Sequence, residues 1–359
     1  MNNHKIQNFI LEGKEIFVGL EDSKKNWKIA VRSGYMLVHQ AAMEAKYSIL
    51  ISYLRNKFPK CRIHLLYEAG FKGFNLHDQL VSDGIDCTVI PPHLVTEPKV
   101  NKVKTDKRDA KRLAYVLETH DFKFGCYVPD KERREDRQVS RTLGAIKKDV
   151  IRARSRTRMF LYNHGIEATF AQKERWGRNE FLALKELPLN QSLKISLNTL
   201  VIMLEELWAH QKRLRTYLRE LCNKERYRKA YEIAKTIPGI GWYSAIRLVL
   251  ELGEDLSRFA SGKQIAGFVG LGCGEHSTGD TERKGHITGM GSGFIRSTLI
   301  ENAWASIRKD PVLLDKFDRV RGNSPHRKKK AIVAVARMLI VRFRACVMSG
   351  KPYVLGVVR

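Results

Sequence analysis

Four short apolar runs near the start of the chain constrain its fold more than any other feature. Ile16–Glu21 (IFVGLE), Trp27–Arg32 (WKIAVR), Arg62–Glu68 (RIHLLYE) and Cys87–Ile90 (CTVI) have the length and the β-branched or aromatic content of strands. The turn Asp22-Ser23-Lys24-Lys25-Asn26 joins the first two as a hairpin. Helical spacing from Ala45 to Phe58 and from Phe74 to Val81 separates the rest. A hairpin followed by alternating helices and strands predicts an α/β sheet of mixed strand direction. Its span is 1–128, the first of three regions in a chain of 359 residues.

Carboxylates mark the ends of these runs. Glu21 closes the first, and Glu68 closes the third directly before Ala69-Gly70. After Pro91-Pro92 and a Pro/Lys/Val-rich connector comes Lys104-Thr105-Asp106-Lys107-Arg108-Asp109-Ala110-Lys111-Arg112-Leu113, read as a helix to about Glu118. On a helix, Asp106 and Asp109 share one face with Cβ atoms roughly 5–6 Å apart. That spacing suits carboxylates sharing hard divalent cations, while Lys107, Arg108 and Arg112 suit a polyanionic substrate. A solvated helix with pairs such as Asp109–Arg112 gives the same pattern, and a strand-terminal Glu is often merely hydrated. Four acids placed in this order weigh against that plainer reading, because strand ends are where an α/β sheet holds functional side chains beside a crevice.

The charge balance points the same way. Lys and Arg number 65 and Asp and Glu 38, a net +27, which favours nucleic acid as partner. No apolar run approaches the roughly 18–20 residues of a membrane helix, and no apolar stretch follows the N-terminus as in a secretory signal, so a cytoplasmic protein without a membrane partner is expected. The six cysteines (61, 87, 126, 222, 273 and 346) are scattered without ligand spacing, which argues for reduced, mostly buried thiols and against zinc.

Beyond 128 the character changes. A Pro-free helical segment from Lys131 to His164 carries eleven cations, among them Arg152 and Arg156, with Val139, Leu143, Ile146, Val150 and Ile151 at helical spacing. A second, from about Leu193 to Cys222, carries Leu200, Met203, Leu204, Leu207, Leu214 and Leu218. Narrow apolar seams on two long helices predict an antiparallel or intermolecular coiled coil over 129–228, with the cationic face of the first turned to nucleic acid. In the third region, 229–359, Ile237-Pro238-Gly239-Ile240-Gly241 before an apolar helix (Tyr243 to Leu252) has a helix–hairpin–helix signature. Gly239 and Gly241 would let backbone amides approach phosphate, although a plain Pro-Gly turn has the same letters. The loop Gly270-Leu271-Gly272-Cys273-Gly274-Glu275-His276-Ser277-Thr278-Gly279-Asp280 leads to Arg283 and Lys284. It is either a surface Ser/Gly loop or a nucleophilic hydroxyl with phosphate-binding cations beside it. Lys328-Lys329-Lys330 before the last apolar helix is a solvated face or a further phosphate contact.

The order of acids, with Thr105-Asp106-x-x-Asp109-Ala110 after a strand, and the His276-Ser277-Thr278-Gly279…Gly285-His286-Ile287-Thr288 pattern resemble one family. It is that of the bridge-RNA-guided insertion-sequence transposases, with an N-terminal RuvC-like (RNase H-like) DEDD domain and a C-terminal serine transposase domain. The resemblance covers nearly the whole chain. It implies a mixed-sheet RuvC-like domain, a helical coiled-coil linker that mediates oligomer contacts and a mainly α C-terminal domain. By position, Glu21, Glu68, Asp106 and Asp109 would hold Mg2+ (or Mn2+), and Ser277 would be the nucleophile. Partners would be target and donor double-stranded DNA, a structured guide (bridge) RNA and further copies of the chain, as a dimer and a tetrameric synapse. Arg283, Lys284 and Arg296 would meet phosphate. The chain departs from the family at Glu21, where Asp is usual; Asp22 follows it but should point to the opposite face while the strand lasts.

The expected chemistry is RNA-guided strand cleavage by Ser277, a covalent phosphodiester, and rejoining. Two other readings fit the residues: a metal-dependent, structure-selective junction nuclease using water, and an inactive RNA- or DNA-binding relic.

Overall fold

The computed structural model describes residues 11–92, 105–122, 125–173, 175–275 and 284–356. The chain separates into two compact units, Met1–Pro129 and Asp130–Arg359.

The first unit is a mixed sheet with helices on both faces. Its elements are β1 (Glu15–Glu21), β2 (Asn26–Ser33), β3 (Met36–Glu44), α1 (Tyr47–Lys57), β4 (Arg62–Glu68), α2 (Asn75–Ser82), β5 (Asp86–Ile90) and α3 (Asp106–Thr119). The strand order is β3-β2-β1-β4-β5, with β1, β2 and β3 antiparallel and β1, β4 and β5 parallel. The mixed α/β sheet expected from the apolar runs is therefore present. Strand β3 is an addition to that reading. Its MLVHQAAME lacks a clean alternation because it is a half-exposed edge strand, held by pairing to β2 rather than by burial.

Alternation sorts the sheet's side chains cleanly. Ile16, Val18 and Leu20 pack with Leu50, Leu54, Leu76 and Leu80 on the face covered by α1 and α2. The intervening positions of β1 face α3, where Phe17 joins Leu66, Ile90, Leu113, Val116 and Leu117. At Gly19 a Cβ would collide with the backbone of Ala110 and Ala114, so the missing side chain lets α3 lie directly on β1. Ala30, Ala110 and Ala114 complete this close seam. The far end of α3 is pinned to β2 by a buried ion pair, Arg32 Nε to Glu118 Oε2 at 2.6 Å, and Tyr35 N donates to Glu118 Oε1 at 2.7 Å.

Among its described residues the second unit is helical apart from one two-stranded ribbon. In order it has α4 (Lys131–Asn163), α5 (Arg178–Lys185), α6 (Gln191–Asn223), α7 (Glu225–Thr236), α8 (Trp242–Leu252), α9 (Gly262–Phe268), β6 (Cys273–Glu275), β7 (Lys284–Ile287), α10 (Gly293–Ser306), α11 (Pro311–Arg321) and α12 (Lys328–Ser349), with short 3-10 turns at Thr169–Gln172 and Pro325–Arg327. Asp130 and Asn190 cap the two long helices, accepting from the backbone N–H of Arg133 and Leu193. The long helices pack on one another within the chain. Leu143 shares a cluster with Leu218 and Leu221, whereas Ala153 and Leu161 meet Leu197, Val201 and Leu204, which makes the pair antiparallel. Leu143, Leu218 and Leu221 also belong to the core built by α7 to α12. Residues 131–223 are thus built into the same compact unit as the rest of the C-terminal half.

Of the six cysteines, all free thiols, Cys87 and Cys222 are buried, Cys61, Cys126 and Cys346 are half-buried, and Cys273 is exposed. Among the described residues no helix is long and apolar enough to cross a membrane.

Candidate functional site

The face of the sheet under α3 carries more than packing. Continuing the alternation from Phe17 and Gly19 places Glu21 on that face, and continuing from Leu66 places Glu68 there. On β2 the same face holds Lys28, Ala30 and Arg32, and Lys28 stands opposite Glu21 in the β1–β2 register. Because α3 runs from Asp106 above these strand ends to Glu118 above Arg32, its first turn overhangs the carboxylates. Gly19 is what allows the overhang.

Charge shows how closely the acids are grouped. Burial pushes the Glu21 carboxyl upward, and the charges of Asp106 and Asp109 push it further, against the Ser23 amide and Lys28. Burial also pushes Asp22 up to about 6, opposed by Lys72 and reinforced by Glu21 and Glu68. Oε2 of Glu21 and Oδ2 of Asp22 are buried without a hydrogen-bond partner. Asp106, by contrast, is held below the usual range by the Lys28 ammonium, 2.6 Å from its Oδ2. Arg112 Nη2 lies 3.5 Å from Glu68 Oε1.

Glu21, Glu68, Asp106 and Asp109 therefore belong to one electrostatic cluster. Asp22 belongs to it as well. Strand β1 ends at Glu21, so alternation no longer directs the next side chain, and Asp22 comes under the charges of Glu21, Glu68 and Lys72. Lys28 and Lys72 were missed in the sequence. Lys28 was legible only through the hairpin register, and Lys72 through its place in the loop after Glu68.

The donors are of the kind a hard divalent cation takes: all are carboxylate oxygens, two of the oxygens are buried without partners, and burial together with neighbouring carboxylates pushes Glu21 and Asp22 upward. With Lys28 on Asp106 and Arg112 on Glu68, no group of three or more His, Cys, Asp or Glu among the described residues is drawn together as a set able to hold an ion.

Other predicted nucleic-acid residues are placed as follows. Lys107 and Arg108 are exposed on the first turn of α3. Arg152 and Arg156 are exposed one turn apart on α4, with Arg152 paired to Asp149. The start of α4 does not follow the expected outward cationic face. Arg133 is buried and its Nη1 is 3.4 Å from Glu254, while Arg141 makes a bidentate pair with Glu251 at 2.7 and 2.8 Å. These cations hold α4 to α8 and the segment after it.

Gly239 has φ +80°, and a Cβ there would meet Ser306 and the Asn302 carbonyl. Ser306 Oγ donates to the Pro238 carbonyl at 2.5 Å. The missing side chain lets this turn dock on α10. Gly241, at the N-cap of α8, has open space around it. Arg296 Nη1 donates to the Val269 carbonyl at 3.4 Å, which ties α10 to the loop before β6. Ser277 and Arg283 lie outside the described residues, and Lys284 opens β7.

Comparison with known proteins adds what the geometry lacks. Residues 231–318 match the transposase IS116/IS110/IS902 family. The matched stretch runs from α7 into α11 and includes Ser277. Over 348 residues, 95% of this chain and 84% of the relative, the chain is 26% identical to y4qE of Sinorhizobium fredii, described as a transposase. It is 25% identical over 245 residues (67% of this chain, 70% of the relative) to the transposase of insertion sequence IS1533 from Leptospira borgpetersenii. A similar likeness, 25% over 243 residues (66% of this chain, 62% of the relative), links it to the transposase of IS1111A from Coxiella burnetii. Similarity to insertion-sequence transposases thus reaches both compact units.

Proposed function

We propose that this protein is a DNA transposase of a mobile element, guided by a structured RNA, that cuts and rejoins DNA through Ser277. The carrying observation is the cluster at the end of β1: Glu21 and Asp22, each with a buried unpartnered oxygen, in the field of Asp106, Asp109 and Glu68. Transposase relatives supply the reaction class, and the strand order supports the RuvC-like reading of the sheet.

Glu21, Glu68, Asp106 and Asp109 would hold magnesium or manganese, with Asp22 as a further donor. The bound cation would polarise the scissile phosphate and draw off charge as it develops. The chain's own residues do the rest. Lys28 keeps Asp106 ionised and oriented, and Arg112 orients Glu68. Lys107 and Arg108, exposed at the head of α3, meet the polyanion as it enters. The Ser277 hydroxyl attacks phosphorus and loses its proton, and the displaced sugar oxygen leaves and gains one. The resulting serine–phosphate ester retains the energy needed for rejoining to a second end. Sequence choice would rest with RNA–DNA pairing, leaving the protein to read shape and backbone. A dimer and a tetrameric synapse would bring the acidic and serine parts together.

The test uses the protein expressed with the DNA flanking its own gene, purified in high salt, and the bound RNA sequenced. One enriched species is expected, and that RNA then programs plasmid recombination. Asp109→Asn and Ser277→Ala should each lower recombination by about three orders of magnitude or more while the fold is retained. If Ser277→Ala still cleaves and only Asp109→Asn is dead, water is the nucleophile and the protein is a junction nuclease.

A further inference from the structure

We infer that Lys147, Arg215, Arg219 and Arg247 form a seat for the phosphodiester backbone of a nucleic acid, with the ring of Trp242 as its floor. The inference rests on the reading that this protein handles nucleic acid, and it assigns a contact surface away from the acidic cluster.

The four cations come from three helices, α4, α6 and α8, that share one core. Among the described residues none of the four is ion-paired to a carboxylate. Each instead lies over an aromatic ring. Lys147 Nζ is 3.7 Å from the centre of Tyr243, Arg219 is 4.4 Å and Arg215 5.5 Å from that of Trp242, and Arg247 is 2.9 Å from that of Phe294. A ring orients a cation without cancelling its charge. Phe294 is brought up by Gly144, where any Cβ would strike it.

Uncompensated charge of one sign is costly to gather, and these residues show the strain. Burial pushes Lys147 down to about 8, and Arg215 and Arg247 push it in the same direction. Burial also lowers Arg247, to about 10, with Tyr243 and Glu251 opposing, and its Nε is buried without a partner. Glu251 is already engaged by both guanidinium nitrogens of Arg141. Arg215 and Arg219 are exposed, so the opening faces solvent. A ligand that relieves this arrangement must bring several closely spaced negative charges and accept planar guanidinium donors, which is the chemistry of consecutive phosphates. Trp242 adds a surface on which an unpaired base stacks.

The experiment measures binding of labelled single-stranded RNA, single-stranded DNA and duplex DNA of one sequence to the full chain in EDTA, over a range of salt. The variants are Lys147→Met/Arg215→Gln/Arg219→Gln, the single exposed changes Arg215→Gln and Arg219→Gln, and a control of equal charge at exposed positions, Lys263→Gln/Arg308→Gln/Lys309→Gln. The seat triple should weaken binding by about 30-fold or more near physiological salt and flatten the salt slope by about 2–3, each single by about 1. The single variants keep the core intact and so carry the test even if the triple misfolds. Loss confined to RNA, confined to DNA, or shared by all probes names the occupant, and each supports the seat. No loss, or an equal loss from the control, overturns it. If the seat binds but no recombination follows, the transposase reading fails alone; if recombination persists in a protein whose seat variants bind normally, the seat fails alone.

Discussion

Two acidic regions of this molecule hold similar numbers of carboxylates and treat them in opposite ways. At the start of α4, Asp130, Glu132, Asp136 and Glu254 surround Arg226, Lys224, Arg133 and Tyr227. Arg226 reaches Asp130 at 2.7 Å, Glu132 at 2.9 Å and Glu254 at 2.6 Å. Lys224 reaches Glu132 at 2.5 Å and Asp136 at 2.9 Å, and Tyr227 Oη donates to Asp136 at 2.9 Å. The Arg226 guanidinium holds Asp130 well below the usual carboxylate range. At the end of β1, by contrast, Glu21 and Asp22 are both pushed up, and each keeps a buried oxygen without a partner. Charge that is matched inside the chain stabilises the fold, and charge left unmatched in a half-buried place is available to something outside it.

The largest effects should come from the scaffold under the unmatched acids. Gly19→Ala forces α3 off β1 and is expected to cost about 3 kcal/mol and to displace Asp106 and Asp109. Urea unfolding together with the recombination assay checks both consequences; an unchanged midpoint would mean that α3 does not rest on Gly19. Arg226→Ala, which strips the shared partner from three carboxylates, should cost about 2–3 kcal/mol after allowing for its partial exposure. Glu21→Gln should instead leave stability unchanged or slightly raised while recombination is lost. A Glu21→Gln protein as unstable as Arg226→Ala would erase the distinction between the two regions.

Smaller effects follow from pH. Asp130 has a lowered folded-state pKa, so its contribution is present above the unfolded value near 4 and is lost as pH falls below it. Lys147 is a cation whose folded pKa, about 8, is below its ordinary 10.5. The unfolded chain then binds more protons between those values, so stability rises with pH across that window. Compared with wild type, Lys147→Met should be more stable by about 1 kcal/mol at neutral pH, with the gap closing toward pH 10.5. Denaturant titrations at several pH values check this, and a gap that widens with pH would have the wrong sign.

Much of the first unit was legible because its physics is local. Apolar runs ending in Glu21 and Glu68 give strands, and Asp106 with Asp109 before an apolar face gives the head of a helix. Strand β3 escaped because an edge strand needs a partner more than a pattern. The paired roles of Arg133 and Arg141 escaped for another reason: their partners, Glu254 and Glu251, lie more than a hundred residues away, with separations of 121 and 110. Read along α4 alone, the same arginines look like a cationic face. The packing role of Gly239 escaped for the same reason, since the Ser306 it lies against is more than sixty residues away in sequence.

The sequence by itself determined the mixed sheet, the two long helices, the acids at strand ends and the excess of positive charge. Backbone periodicity and composition act over a few residues at a time, so they can be read without coordinates. The tertiary structure decided which charges are matched. It brought Asp22 into the cluster once β1 ended, set Lys28 on Asp106 through the hairpin register, and left Lys147 and its neighbours facing rings instead of carboxylates. Such pairings depend on separations of a few ångströms between distant parts of the chain, and Coulomb energy in a half-buried place changes steeply over that range.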